Sequence, residues 1–372
     1  MKSAPRILIG TADLGGNLSP MLIIGSRLVA DGAAVHVLGH PAQRAAVEAA
    51  GLVFTAYTRA RTYPPPGRHS SLAGVLGLIH LVCDSGVGVD LVELATRERS
   101  DVLLVDNMLL AGLRAGRRSG LPTVALVHSL PAFYTGQWAH SPIGLVATLR
   151  GLRPATVWHD LAGAITVCLP ELVGTDTALG GPVVGPVWPG TPHRTRPGRP
   201  RALLGLSTFP WPGMDTVAQR ILDAVSPMDI DVVFTTGPSL DPIDLTVPNN
   251  VEMHRYIDHA RLMPDVDLMI AHGGHGTTMR ALAHDLPLLM VPLHPMGDQP
   301  AIARAITAHG AGITLPRTAA LPTIRAAIDQ LLTQPQFSNA AAHLGERIRA
   351  RDPAGVASAY LRRLADREQA RT

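Results

Sequence analysis

Seven consecutive residues, His272-Gly273-Gly274-His275-Gly276-Thr277-Thr278, combine glycines, hydroxyls and imidazoles in a spacing suited to holding phosphate. Gly273, Gly274 and Gly276 remove side chains where an anion must approach backbone N–H groups, and Thr277, Thr278 and the His272 ring add donors. Upstream, Asp267-Leu268-Met269-Ile270-Ala271 is an apolar run suited to a buried parallel strand, and downstream Thr277 to His284 has helical periodicity. The turn is therefore expected at the carboxyl end of a strand and the N-terminus of a helix, where open α/β sheets place ligands and helix N–H groups favour negative charge. A diphosphate fits this donor set. Lysine is absent, so the loop is not a Walker A loop, and the spacing is not the dinucleotide fingerprint. The plain alternative is a glycine-rich helix start whose histidine only caps it.

The elements that must position this turn follow from the rest of the chain. At 372 residues the length favours two domains. With 46% apolar, 16% charged and 4% aromatic residues, the chain is globular and its cores are filled by aliphatic side chains. Arg6–Gly10, Ala34–Leu38, Asp101–Val105 and Thr123–Val127 read as strands, separated by helices over Pro20–Ala30 and Met108–Ser119. Such alternation means a doubly wound parallel sheet. Between Gly185 and Arg201 proline, glycine and arginine crowd together as a linker, its arginines a solvated strap. Beyond it the pattern restarts: strands at Ala202–Leu206, Asp231–Phe234, Val251–His254 and Leu288–Val291, and helices near Asp215–Val225 and Ile302–Ala308. Ser338 to Ala365 reads as one or two amphipathic helices broken at Asp352-Pro353.

Several classes are excluded or disfavoured. A net charge of +3 without a Lys/Arg block gives no nucleic-acid footprint. Cys83 and Cys168 have neither disulfide-framework nor metal spacing, and no signal peptide precedes Ile7-Leu8-Ile9, so a reducing cytoplasm is expected. Leu72 to Cys83 is too short to span a bilayer and reads as a buried or pocket-lining helix, so no stable membrane insertion is expected. A homodimer stays open.

The turn, followed by Leu286-Pro287 and Gly297-Asp298-Gln299-Pro300, resembles the donor-binding signature of GT-B glycosyltransferases, in particular the bacterial natural-product branch acting on macrolides and other polyketides. The resemblance covers about Ala202 to Leu315 well and the amino half more loosely, through Pro20 and Asp106. It implies two Rossmann-like domains facing each other across a cleft: an acceptor domain over 1–187, a linker over 188–201, a nucleotide-sugar domain over 202–350, and a C-terminal helix over 351–372 returning to the first domain. It further implies that His272 and Thr277, with Thr278 and the amides of Gly273, Gly274 and Gly276, contact the diphosphate. Ser207 and Thr208 would be further phosphate-side donors, Tyr256 with Ile257 would lie beside the base, and Asp298 and Gln299 would bind the sugar. Asp298 also reads as the N-cap of the helix that follows, and Ser207 and Thr208 as turn residues.

The chain departs from this pattern twice. Arg280 stands where the family often has glutamate for the ribose, and Asn17 stands where a catalytic histidine is common. Asparagine cannot take a proton at neutral pH. Asp13, on the same loop, is then the expected base if partial burial raises its pKa, and Asp106 positions Asn17 or the acceptor. Tyr63, Phe133, Tyr134 and Trp138 are the expected acceptor-pocket residues, although core packing suits each aromatic as well. The implied reaction is metal-independent, inverting transfer of a sugar from a TDP- or UDP-sugar to a small natural-product acceptor, with no cofactor beyond the nucleotide sugar. Rival readings are a nucleotide-sugar epimerase, an impaired partner that binds nucleotide and activates another transferase, and a peripheral membrane transferase. Asp265-Val266-Asp267 resembles a metal-binding tripeptide, but no second carboxylate cluster follows it.

Overall fold

The computed structural model describes residues 4–61, 71–174, 179–194 and 197–371. Two compact units result: among the described residues one gathers the chain up to Val187, Ser71 apart, together with the stretch from Asp352 onward, and the other runs over Trp188–Arg351 and takes in Ser71.

In the first unit, β1 (Arg6–Gly10), β2 (Ala34–Gly39), β3 (Val53–Ala56), β4 (Val102–Asp106), β5 (Thr123–Val127) and β6 (Gly163–Thr166) form one parallel sheet in the order β3-β2-β1-β4-β5-β6. The central strands β4 and β5 are buried at every position, as expected of strands covered on both faces. The helix after β1, Leu18–Ala30, buries Met21, Ile24, Gly25 and Leu28, a stripe at helical spacing, and the chain turns out of it through Gly32 at φ +88°. The apolar stretch before Cys83 is a helix, Ser71–Cys83, that buries Ile79, Leu81 and Val82 and exposes Leu76. Among the described residues no helix is long and apolar enough to cross a membrane.

The second unit repeats the plan with β7 (Arg201–Gly205), β8 (Asp231–Thr235), β9 (Val251–His254), β10 (Leu268–Ala271), β11 (Leu288–Met290) and β12 (Gly312–Thr314), all parallel, in the order β12-β11-β10-β7-β8-β9. In both sheets the strand order reverses beside the first strand, between β1 and β4 and between β7 and β10. The loops leaving those pairs diverge to opposite faces, which opens a crevice at the carboxyl edge. The Arg- and Pro-rich linker is strapped to the second unit: Thr191 N–H donates to His284 Nδ1 at 3.1 Å, and Arg199 pairs with Asp229 at 2.6 Å.

The C-terminal segment is two helices, Pro335–Arg349 and Pro353–Gln369, separated at Asp352-Pro353. The second belongs to the first unit. Asp352 caps it by accepting from Gly355 N–H at 3.0 Å and pairs with Arg27 at 2.9 Å, while Ser358 Oγ donates to Asp31 at 2.6 Å and Gln369 Nε2 to Asp101 at 2.9 Å.

Candidate active site

The glycine turn leaves β10 at the switch point of the second sheet, where Ala271 pairs with Gly205 of β7. Gly273 takes φ +82°, a left-handed conformation that glycine adopts without strain. Gly274 has no side chain because the His272 ring fills the space where a Cβ would stand. The helix begins at His275, two residues earlier than its periodicity indicates, and its first ladder bond runs from Thr278 N–H to Gly274 O at 3.0 Å. The N–H groups of Gly276 and Thr277 therefore have no intrahelical partner, and Gly274 at the N-cap offers no side chain to take them.

Two side chains of the turn are buried with polar atoms that find no partner among the described residues, His272 Nδ1 and Thr278 Oγ1. Burial pushes the His272 imidazole down to about 4, so it is neutral at pH 7 and one ring nitrogen carries a proton to donate. Buried polar groups without partners are rare in native proteins, and their convergence at a helix N-terminus marks a place for an anion.

Around the turn, Ser207 is buried after β7 and its Oγ accepts from Phe209 N–H at 3.0 Å, so it holds the turn and keeps only its O–H to give. Thr208 is exposed. Asp298 occupies the N-cap position of the helix Gln299–Ala308, yet its side chain makes no capping bond. Gln299 is buried, and its Oε1 accepts from Leu293 N–H at 2.7 Å, which commits its carbonyl to the loop after β11 and leaves the amide N–H groups for a ligand. Tyr256 is 82% exposed and Ile257 half-buried.

Arg280 lies over the Trp188 ring at 5.3 Å, with Asp258 and Tyr256 in its electrostatic surroundings, and forms no ion pair among the described residues. Arg280 is thus a guanidinium packed on an indole. Sequence reasoning also passed over the ring stack of Trp211 and His294, with centroids 5.0 Å apart, and His259, whose Nε2 lies 2.9 Å from Thr235 Oγ1. The signal for all three was position, each just past the carboxyl end of a strand.

The carboxylates of the Asp-x-Asp tripeptide are engaged: Asp267 accepts from His193 Nε2 at 3.1 Å and Arg201 N–H at 2.8 Å, and Asp265 pairs with Arg194 at 3.4 Å. Among the described residues no group of three potential ligands could hold a metal ion.

In the first unit the corresponding crevice carries Asp106, which ends β4 and is fully buried. Its Oδ2 accepts from Asn17 Nδ2 at 2.9 Å and from His128 Nε2 at 3.1 Å, and its Oδ1 from Met108 N–H at 2.8 Å. Asp106 is thus hydrogen-bonded to Asn17 and to a histidine that sequence reasoning missed. His128 follows β5 directly, one strand from Asp106, and that adjacency of strand ends was the available signal.

Asp13 is exposed, so the burial that its role as base requires is absent. Phe133, Tyr134 and Trp138 are buried and pack edge-on in sequence, at 5.2 Å and 6.2 Å, with Trp158 5.6 Å from Trp138. They form an aromatic cluster tied to the crevice by Trp158 Nε1, which donates to Asn107 O at 3.2 Å. Tyr63 lies outside the described residues.

Residues 219–361 match the family model of the erythromycin biosynthesis protein CIII-like C-terminal domain. The chain is 27% identical to 4'-demethylrebeccamycin synthase of Lentzea aerocolonigenes, over 93% of this chain and 96% of that protein. Among solved structures it is similar to the glycosyltransferase of kitacinnamycin, with TM-score 0.77 and 21% identity over 98% of this chain and 100% of that one. It is also similar to the glycosyltransferase VinC in complex with DTDP, with TM-score 0.71 and 20% identity over 97% and 100%. At such identities the structural likeness establishes the fold. The chain thus has the GT-B fold, and along its length it is similar to glycosyltransferases of bacterial natural-product biosynthesis.

Proposed function

We propose that the protein transfers a sugar from a TDP- or UDP-sugar to a small natural-product acceptor, without a metal ion and with inversion at the anomeric carbon. The observation that carries this reading is the set of unpartnered donors on the turn after β10: His272, Thr278 and the first N–H groups of the helix. They suit a leaving diphosphate, whose charge grows as the glycosidic bond breaks. Thr277, half-buried in the first helical turn, adds a hydroxyl. Asp298 and the Gln299 amide supply an acceptor and donors for sugar hydroxyls, and the exposed ring of Tyr256 offers a face to the base.

A relative of the same fold holds DTDP, which supports thymidine as the nucleoside. Arg280 agrees with this, because a cation at this side provides no acceptor for a ribose hydroxyl that deoxyribose lacks. Metal independence is supported by the protein partners already held by Asp265 and Asp267. The first unit would receive the acceptor, with the Phe133, Tyr134 and Trp138 cluster behind the Asp106 crevice.

The test incubates the protein with TDP-glucose or UDP-glucose and a panel of phenolic, amine and macrolide aglycones in EDTA. Nucleotide diphosphate should be released only when an aglycone is present, and NMR should show the opposite anomeric configuration in the product. An altered sugar without aglycone would indicate an epimerase. Asn17, which cannot act as a base, keeps one second reading in view: TDP binding without turnover on any donor would indicate a nucleotide-binding partner of another transferase.

A further inference from the structure

At the carboxyl edge of the first sheet, where β4 and β5 end side by side, four buried side-chain atoms have no hydrogen-bond partner among the described residues. They are Asn107 Nδ2 and Oδ1, His128 Nδ1 and Ser129 Oγ. Asn107 and Ser129 are fully buried and His128 is 5% exposed, so bulk solvent does not reach them. Nothing in the packing of strands and helices calls for such a cluster, since apolar side chains would fill the same space at no cost in desolvation. Its position, at the switch point and beside Asn17 and Asp106, is that of a ligand-binding crevice.

We propose that His128 is the catalytic base of the reaction, its Nδ1 taking the proton of the acceptor nucleophile, with Asn107 and Ser129 holding the acceptor group in place. The inference rests on the sugar-transfer reading above and goes beyond it by naming the proton acceptor. The tautomer follows from the contacts. The Asp106 carboxylate only accepts, so the 3.1 Å contact places a proton on Nε2 of the neutral ring and leaves the lone pair on Nδ1.

Asp106 is itself held by three donors, Asn17 Nδ2, Met108 N–H and His128 Nε2, which fix its carboxylate opposite the imidazole. A carboxylate so placed orients the ring and stabilises the imidazolium that forms on proton transfer. The competing candidates fail on geometry or chemistry. Asn17 cannot take a proton, and Asp13 is exposed and makes no hydrogen bond among the described residues. His40, buried after β2, stands against Tyr57 at 5.1 Å and has Asp13 and Asp84 in its electrostatic surroundings, but among the described residues no carboxylate is hydrogen-bonded to its ring.

In the step itself the acceptor X–H bond breaks and its proton goes to His128 Nδ1. The electron pair left on X forms the bond to the anomeric carbon as the bond from that carbon to the diphosphate oxygen breaks, its pair leaving with the diphosphate.

The experiment compares the native chain with His128→Gln, which keeps an N–H for Asp106 but has no basic lone pair, and with His128→Gly, using TDP-glucose and 4-methylumbelliferone. The expected result is a fall in kcat of ~10²- to 10⁴-fold in both, with KM for TDP-glucose and the Kd of TDP unchanged, and partial recovery of His128→Gly by added imidazole. A kcat in His128→Gln within threefold of native overturns the proposal. Failure of the native chain to bind TDP by calorimetry sinks the sugar-transfer reading instead. Should the native chain bind TDP without turning over this acceptor, ¹⁵N NMR of the His128 ring at pH 8 decides. A proton on Nε2 with Nδ1 bare, and loss of that signal in His128→Gln, supports the base, and a proton on Nδ1 overturns it.

Discussion

At the scale of single residues, the donor turn works because burial and hydrogen-bonding capacity are set against each other. His272 is buried without a carboxylate beside it, and burial alone pushes its imidazole down to about 4. The unfolded chain takes up that proton near the ordinary value of 6.5, so between 6.5 and about 4 the unfolded state binds more protons and stability falls with pH. The contribution is fully present above pH 6.5, and at about pH 5 the loss from this residue is on the order of 2 kcal/mol. His259, His284 and His294 are lowered for the same reason and add to it in the same direction. Urea denaturation at pH 7 and pH 5 should show this slope, and a stable His272→Asn variant should show a shallower one. A second substitution at this position checks the site: His272→Ala should weaken TDP binding about tenfold to a hundredfold by calorimetry, the range expected for one hydrogen bond to a charged ligand. An unchanged Kd would place the diphosphate elsewhere.

At the scale of elements, glycine positions decide whether the turn can exist. Gly273 at φ +82° cannot accept a Cβ without strain, so Gly273→Ala should cost about 1–2 kcal/mol in thermal or urea unfolding and reduce TDP affinity as the amides move. At Gly276 an added Cβ would meet Trp188 at an ordinary 3.4 Å, so Gly276→Ala should fold near native stability. Helix capping at Asp352 gives a comparable handle: Asp352→Ala removes the bond to Gly355 N–H and should cost about 1 kcal/mol.

The elements carrying these features were legible in the sequence where pattern and burial agree. The central strands read correctly because they are apolar throughout. The strands β3, β6 and β12 escaped notice because each lies at a sheet edge, where β3 exposes Val53 and half-buries the rest, so no apolar run announces it. Helix starts were placed two or three residues late at His275 and Gln299, since glycines and a proline at the N-terminus blur the periodicity. The donor turn was legible because its residues are contiguous. The Asp106, Asn17 and His128 cluster was legible only in part, because His128 joins it through strand pairing, which no local spacing records.

At the scale of the whole molecule, one plan is used twice, and each copy places polar groups where its strand order reverses. The two copies differ in what they leave unsatisfied: N–H and O–H donors after β10, and a mixture of donors and a basic nitrogen after β4 and β5. The first suits an anion and the second a neutral nucleophile that must lose a proton. Nucleotide should therefore stabilise the Trp188–Arg351 unit selectively, by about 2.7 kcal/mol at a hundredfold excess of TDP over its Kd. Hydrogen exchange resolves where that stabilisation falls. Measured with and without TDP, it tests the account most directly: the prediction is slowed exchange at the amides of Gly276 and Thr277 and in the loop through Leu293 and His294, with β1 to β6 unchanged. Protection confined to the first unit, or none at the turn at saturating TDP, would contradict it.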